Sequence, residues 1–121
     1  MARILLVDDD AASLDLMRRA LEADGHQITV ADSGTEARDL IQKAPASFDA
    51  LVTDVNMPGL DGVDLLRGAL EMNPHLKCVV ISGFLDQLER VKAPVAARLT
   101  TLAKPFTLDQ IRGSVRQALQ S

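Results

Sequence analysis

One segment carries the strongest structural signal in this 121-residue chain: Asp49-Ala50-Leu51-Val52-Thr53-Asp54-Val55-Asn56-Met57-Pro58-Gly59. Its apolar run, Ala50-Leu51-Val52, predicts a buried strand that stops at a carboxylate, and Met57-Pro58-Gly59 predicts a turn. A carboxylate at the end of a buried strand is costly unless a positive group pairs with it. Asp54 is therefore either a turn cap or a functional group, and the rest of the chain favours the second interpretation.

The composition is that of an ordinary soluble globular domain, with 47% apolar and 25% charged residues. Aromatic residues make up only 2% and the net charge is −4, which disfavours flavin stacking, base stacking and attraction to nucleic-acid backbones. No apolar run approaches the length of a membrane span. Cys78 is the single cysteine, so no disulfide can form within one chain, which fits a reducing compartment. We expect one domain, residues 1–121, in the cytoplasm, with no direct nucleic-acid or membrane partner.

Hydrophobic periodicity predicts five strands that alternate with five helices. The predicted strands are Arg3–Val7, Gln27–Ala31, Asp49–Thr53, Lys77–Ile81 and Leu99–Ala103. The predicted helices run from Asp10 to Asp24, from Ser33 to before Pro45, through Val63, Leu66 and Leu70 to Asn73, from about Leu85 to Lys92, and from Thr107 through the inward positions Leu108, Ile111, Val115 and Leu119. The segments 33–36 and 107–110 have the spacing of helix capping boxes.

Polar residues follow four of the predicted strands. They are Asp8 and Asp9 after the first, Asp54 after the third, Ser82-Gly83 after the fourth and Lys104 after the fifth. Alternating strands and helices imply a doubly wound parallel sheet, because neighbouring parallel strands need crossovers. Two strand orders are common for such sheets, and in both of them ligands bind outside the carboxyl ends of the strands. We therefore expect these side chains to meet at one edge of the sheet.

The acidic residues of this edge predict a metal site. Three carboxylates brought together repel one another, and a hard divalent cation relieves that repulsion. Mg²⁺ prefers oxygen ligands and usually keeps several waters. We expect Asp9 and Asp54 to be direct ligands, Asp8 to act through water, and the backbone carbonyl of Asn56 to complete the protein ligands.

The other polar groups of the edge predict phosphoryl transfer. Lys104 offers a mobile positive charge, and the Ser82 hydroxyl and the Gly83 amide offer hydrogen-bond donors. Together with a metal, these groups can stabilise the oxygens of a transferring phosphoryl group while the Asp54 carboxylate attacks in line. An aspartyl phosphate is the expected product.

The chain resembles the receiver domain of two-component response regulators over essentially its whole length. Four motifs carry the resemblance: Val7-Asp8-Asp9-Asp10, Asp54-Val55-Asn56-Met57-Pro58-Gly59-Leu60-Asp61-Gly62, Ser82-Gly83 and Lys104-Pro105-Phe106. The resemblance implies a flavodoxin-like fold with strand order 2-1-3-4-5 and a cis Lys104–Pro105 bond. It also implies Mg²⁺-dependent transfer of a phosphoryl group to Asp54 from the phosphohistidine of a sensor histidine kinase or phosphotransfer domain. On this interpretation the protein is a signalling switch that changes partner binding, and its output is not readable from the sequence.

Two departures from the family pattern concern the output of the switch. Receivers usually carry an aromatic residue three positions before the lysine, whereas this chain has Thr101. The segment 93–98 also lacks the Gly-Ala pair that is common before the fifth strand. Because the aromatic residue is missing at Thr101, the usual aromatic switch cannot operate in its standard form.

Phe84, two residues after Ser82, either shields the acyl phosphate from water or packs on the predicted helix at 85–92.

Three other functions fit parts of the pattern. A phosphohydrolase with a strand-end aspartate nucleophile would need a second acid two residues on, where this chain has Asn56, and a substrate-covering cap. A flavin-binding module would need a phosphate-cradling loop after the first strand, where three aspartates would repel phosphate. A degenerate receiver that acts only as a binding scaffold is disfavoured because every catalytic position is filled.

Overall fold

The computed structural model describes residues 2–55, 62–83 and 99–120. Within these ranges five strands form one parallel sheet: β1 Arg3–Val7, β2 Gln27–Ala31, β3 Ala50–Asp54, β4 Lys77–Ser82 and β5 Leu99–Ala103. Their order is β2-β1-β3-β4-β5, which confirms the order implied by the resemblance. The predicted strand ends agree with the observed ends to within one residue.

Four α-helices lie in the described ranges: α1 Ala11–Ala23, α2 Gly34–Lys43, α3 Gly62–Met72 and α4 Leu108–Gln120. A short 3-10 helix, Pro45–Ser47, precedes β3. Five α-helices were predicted, and the one expected at 85–92 lies outside the described residues. Asn56, the predicted turn at 57–59, Phe84 and the segment 93–98 lie outside them as well. In the described ranges, no helix has the length and apolar character needed to cross a membrane.

Side-chain caps explain where the helices begin. Asp10 caps α1, and the Ser33 hydroxyl accepts a hydrogen bond of 3.1 Å from the Glu36 amide at the start of α2. At α4 both halves of the predicted capping box form. The Thr107 hydroxyl accepts from the Gln110 amide at 3.1 Å, and the Gln110 side-chain oxygen accepts from the Thr107 amide at 2.7 Å. These bonds satisfy amides that have no partner inside the helix.

Two apolar layers cover the faces of the sheet. Leu5, Leu51 and Val80 point to one face and belong to the cluster formed with α2 and α3. Their strand neighbours Leu6 and Val52 point to the opposite face and belong to the cluster formed with α1 and α4. Successive strand residues face opposite ways, so the central strands are buried on both sides. This burial holds the carboxyl ends of the strands in a fixed arrangement.

Leu108 was predicted to face the core, and this prediction is wrong. Its side chain is 40% exposed, whereas Ile111 and Val115 in the same helix are fully buried. Leu108 is the first residue of α4, and the core-facing stripe begins one turn later, at Ile111. Helical periodicity alone does not indicate at which turn a helix first meets the sheet.

Candidate functional site

The carboxyl ends of β1 and β3 bring three carboxylates together. Val7 and Thr53 are register partners in the two strands, so Asp8 and Asp54 follow them side by side. One oxygen from each of Asp8, Asp9 and Asp54 lies within 4.8 Å of the others. Asp8 and Asp54 are each 2% exposed, and Asp9 is exposed to solvent. These three acids therefore meet at the edge of the sheet where the strand pattern indicated that they would.

Lys104, which follows β5, reaches the acidic cluster. Its ammonium group donates a hydrogen bond to Oδ2 of Asp54, and its side chain remains 41% exposed. Burial alone would lower the pKa of Lys104. The hydrogen bond to Asp54 and the charges of Asp54, Asp8 and Asp9 nevertheless raise it overall. Lys104 is thus a cation that solvent can reach, and its bond to Pro105 is cis, as the resemblance implied.

Ser82 and Gly83 lie at the same edge of the sheet, next to the end of β3. Ile81 is the register partner of Asp54, and Ser82 is the next residue of β4. The Ser82 carbonyl oxygen accepts a hydrogen bond of 3.0 Å from the Lys104 amide, which ties the ends of β4 and β5 together. Ser82 is 1% exposed, and Gly83 is exposed. The polar residues expected from four strand ends thus share one edge.

The three consecutive aspartates at 8–10 have different structural roles. The Asp8 carboxylate accepts from the Asp10 amide at 2.9 Å, and the Asp10 carboxylate accepts from the Ala12 amide at 3.0 Å. Burial raises the pKa of Asp8, the Asp10 amide opposes this, and the charge of Asp54 adds to the increase. Asp10 is therefore a helix cap, while Asp8 and Asp9 belong to the acidic cluster.

The donor set fits a hard divalent cation. In an octahedral Mg²⁺ site with metal–oxygen distances of about 2.1 Å, ligand oxygens lie roughly 3 to 4.2 Å apart. The oxygens of Asp9 and Asp54, the two expected direct ligands, need little adjustment to meet that spacing, because they already lie within 4.8 Å of each other and of an Asp8 oxygen. Lys104 can offset one of the three negative charges, and a divalent cation can offset the other two. The Asn56 carbonyl, expected as a further ligand, lies outside the described residues.

Thr53 is a site residue that the sequence did not predict. It is fully buried, and its hydroxyl donates a hydrogen bond of 3.0 Å to the carbonyl oxygen of Asp54. This bond holds the backbone of Asp54 at the end of β3. The available signal was a hydroxyl residue between Val52 and Asp54 in an otherwise apolar strand.

An apolar groove beside the site was also not predicted. Leu16 of α1 and Leu108 of α4 are 53% and 40% exposed, and both line this groove together with Phe106 and Lys104. Thr101, the middle residue of β5, is exposed and does not line this groove. The site therefore has an exposed apolar surface next to its cation.

Comparisons with known proteins agree with this geometry. The model of the response regulator receiver domain family matches residues 4–116. The response regulator receiver protein CpdR of Brucella abortus is 34% identical over 119 residues, which are 98% of this chain and 98% of CpdR. The sensor kinase CckA of the same organism is also 34% identical over 119 residues, but these are only 13% of CckA. A solved response regulator receiver protein from Sinorhizobium medicae has a TM-score of 0.89 at 31% identity, covering 99% of this chain and 95% of that chain. The chain therefore belongs to the response regulator receiver domain family of two-component signalling.

Proposed function

We propose that this chain is a phosphoryl-accepting switch. Asp54 takes the phosphoryl group from the phosphohistidine of a sensor histidine kinase or phosphotransfer domain in a Mg²⁺-dependent reaction. The main support is the ion pair between the buried Asp54 carboxylate and the partly exposed Lys104 ammonium, inside a cluster of three acids. A lysine that is both paired and accessible can exchange its carboxylate partner for an arriving phosphoryl oxygen.

Four residues hold the metal in this proposal. Asp9 and Asp54 bind Mg²⁺ directly, Asp8 binds through water, and Asn56 contributes its backbone carbonyl. Bound Mg²⁺ supplies positive charge that neutralises the phosphoryl oxygens. The proposal is supported by the closeness of the oxygens of Asp8, Asp9 and Asp54.

In the transfer step, a carboxylate oxygen of Asp54 forms a bond to phosphorus as the bond from phosphorus to the donor nitrogen breaks. The electron pair leaves with the imidazole, which then takes up a proton from solvent. Lys104, the Ser82 hydroxyl and the Gly83 amide stabilise the equatorial oxygens. Water later attacks phosphorus, the bond from phosphorus to the Asp54 oxygen breaks, and inorganic phosphate leaves, which restores the carboxylate. In this proposal the protein catalyses both its own phosphorylation and its own dephosphorylation.

The groove beside the site suits a protein donor. Exposed apolar surface on a folded domain often marks a protein contact, and Leu16 and Leu108 place such surface next to Lys104. We propose that the histidine-bearing domain of the donor contacts this groove. We further propose that residues 1–121 form one receiver domain that acts in the cytoplasm.

The decisive experiment is intact mass spectrometry after incubation with acetyl phosphate. The parent should gain the mass of one phosphoryl group when Mg²⁺ is present and little when EDTA replaces it. Asp54→Asn should gain none, whereas Asp39→Asn, a matched change at an exposed position of α2, should behave as the parent does. Phosphorylation that is equal with Mg²⁺ and with EDTA, or equal in the parent and in Asp54→Asn, would refute the proposal. Continuous release of phosphate from a phosphate monoester would instead favour a phosphohydrolase.

A further inference from the structure

Gly62, the first residue of α3, packs directly against the backbone of Asp54 and Val55. A Cβ added at Gly62 would lie 2.2 Å from the Asp54 carbonyl oxygen, 2.7 Å from the Val55 Cα and 2.9 Å from the Asp54 carbonyl carbon. Non-bonded carbon atoms normally approach to about 3.5 Å. The φ of Gly62 lies outside the left-handed region, so the need for glycine at this position is steric rather than conformational.

The strand side of this contact is held in place. The Asp54 carbonyl oxygen accepts the Thr53 hydroxyl at 3.0 Å, and the Val55 amide donates to the Ile81 carbonyl of β4 at 2.9 Å. β3 is the middle strand of the sheet, paired with β1 and β4. The backbone of Asp54 and Val55 therefore cannot move away from a new side chain without disturbing its neighbours.

The helix side is held as well. The Gly62 amide donates a hydrogen bond of 3.1 Å to the Val55 carbonyl oxygen. Val63, Leu65 and Leu66, which follow in α3, are each at most 2% exposed. Moving α3 outward would break the hydrogen bond and open voids in a close-packed core. A methyl group at Gly62 must consequently displace the backbone of β3, the start of α3, or both.

We propose that Gly62 is a positioning residue for the phosphoryl-accepting carboxylate. Because Gly62 has no Cβ, the start of α3 can pack against the Asp54–Val55 peptide. This contact sets the position of the Asp54 carboxylate relative to Asp9 and Lys104. The inference rests on the function proposed above. Positioned reactions are sensitive to such contacts, since a displacement of about 1 Å can slow them about a hundredfold.

The test compares Gly62→Ala with Gly68→Ala, which adds the same methyl group to the same helix. Apart from its chain neighbours and the backbone of its own helix, no atom lies within 4 Å of a Cβ built at Gly68, so this control adds volume without a clash. Three quantities are measured: the Mg²⁺ dissociation constant by titration calorimetry, the rate of phosphorylation by acetyl phosphate at saturating Mg²⁺, and the thermal unfolding midpoint. Gly68→Ala should keep the parent's Mg²⁺ affinity and unfold at the same or a higher temperature. Gly62→Ala should bind Mg²⁺ about tenfold more weakly and accept phosphate about a hundredfold more slowly.

A third variant separates positioning from a general loss of stability. This variant is Ala118→Gly. Ala118 lies near the end of α4, where Leu119 lines a cavity with Asp49 and Lys77 at the amino ends of the strands, away from the acidic cluster. The substitution should lower the unfolding temperature and leave Mg²⁺ affinity unchanged. If Gly62→Ala does not fold alone, it is combined with Gly68→Ala and Gly113→Ala, two helix positions that are open to a Cβ. If the protein that carries all three substitutions is also unfolded, the positioning role is rejected.

The outcomes distinguish this inference from the proposed function. A parent that is phosphorylated at Asp54, together with a Gly62→Ala variant that matches Gly68→Ala in Mg²⁺ affinity and rate, overturns the inference alone. A parent that is not phosphorylated at Asp54 overturns the proposed function. Weaker Mg²⁺ binding in Gly62→Ala, with normal binding in Ala118→Gly, supports the positioning role independently of phosphorylation.

Discussion

Lys104 donates a hydrogen bond from its ammonium group to the carboxylate of Asp54, although fifty residues separate the two in the chain. Lys104 comes directly after β5, Asp54 is the last residue of β3, and these two strands lie on either side of β4. The Asp54 side chain is 3% exposed and the Lys104 side chain is 41% exposed. A buried carboxylate is thus held by a cation that can still meet a ligand from solvent.

Replacing Lys104 by methionine should slow phosphorylation of Asp54 by acetyl phosphate about a hundredfold, because one positive donor to the transferring oxygens is lost. Mg²⁺ affinity should stay the same or rise, since a positive charge leaves the acidic cluster. Initial rates from intact mass, measured over a range of Mg²⁺ concentrations, test both points. Lys43→Met, at an exposed position of α2, is the control. An unchanged rate at saturating Mg²⁺ would rule out the role proposed for Lys104.

Asp8→Asn should raise the thermal unfolding midpoint in EDTA. Asp8 is buried beside Asp54, and burial together with that charge raises its pKa, so the ionised form is disfavoured in the folded protein. Asparagine keeps an oxygen that can accept from the Asp10 amide. The same change should weaken Mg²⁺ binding. Mg²⁺ at a hundredfold the parent's Kd should therefore add about 2.7 kcal/mol to the parent's free energy of unfolding and less to that of the variant. Thermal melts with EDTA and with Mg²⁺ check this, and a lower midpoint in EDTA would contradict it.

His26→Asn should change the pH dependence of stability. Nδ1 of His26 accepts a hydrogen bond of 3.2 Å from the Ala2 amide, and burial lowers the pKa of His26 below 6.5, against the opposing charge of Asp24. Near pH 6.5, His26 is therefore protonated more often in the unfolded chain than in the folded chain. The stability contributed by neutral His26 is therefore present above pH 6.5 and lost as the pH falls through the folded-state pKa.

Asparagine offers an uncharged acceptor at this position. The free energy of unfolding of the variant, relative to that of the parent, should therefore rise as the pH falls from about 7.5 to about 5. Denaturant titrations of both proteins at several pH values measure the difference, in which the other titrating groups cancel. A constant difference across this range would show that His26 does not titrate between the two states.

Thr107→Ala should cost about 1 kcal/mol of unfolding free energy, because the start of α4 loses the acceptor for the Gln110 amide. Thr107→Ser keeps a hydroxyl in the same place and should recover most of that stability. Denaturant titration of the parent and the two variants gives the comparison. Equal losses in both variants would mean that the methyl group of Thr107, rather than its hydroxyl, provides the stability.

Leu16→Gln should separate small-molecule phosphorylation from phosphotransfer by a protein. The side chain is 53% exposed, so the change should alter stability by less than about 0.5 kcal/mol and leave the rate with acetyl phosphate unchanged. If the donor contacts the groove, transfer from a histidine kinase that phosphorylates the parent should slow about tenfold. Thr35→Gln, an exposed position in α2, is the control. Equal transfer rates to all three proteins would exclude the groove as the donor contact.

Local patterns predicted the described strands and helices well but said little about how their ends pack. The apolar runs in β1, β3 and β4 are buried on both faces, and such burial leaves a continuous signal in the sequence. Leu108 shares the apolar character of Ile111, yet only Ile111 meets the core. Arg112 donates from Nε to the Ala20 carbonyl oxygen at 3.2 Å, a contact between α4 and α1 that no neighbour in sequence indicates.

Two local patterns predicted a parallel α/β sheet with acids, a hydroxyl and a lysine at one edge. These patterns are the order of the apolar runs and the polar residues that follow most of them. Both could be read from the sequence because each arises within a few consecutive residues. The sequence indicated that Lys104 and the three carboxylates would meet, but three details needed the folded chain: the hydrogen bond from Lys104 to Oδ2 of Asp54, the spacing of the carboxylate oxygens, and the contact of Gly62 with the Asp54–Val55 peptide. Each is a distance of a few ångströms between segments that are remote in sequence. Strand register and helix packing set such distances, and neither is encoded by any short stretch of residues.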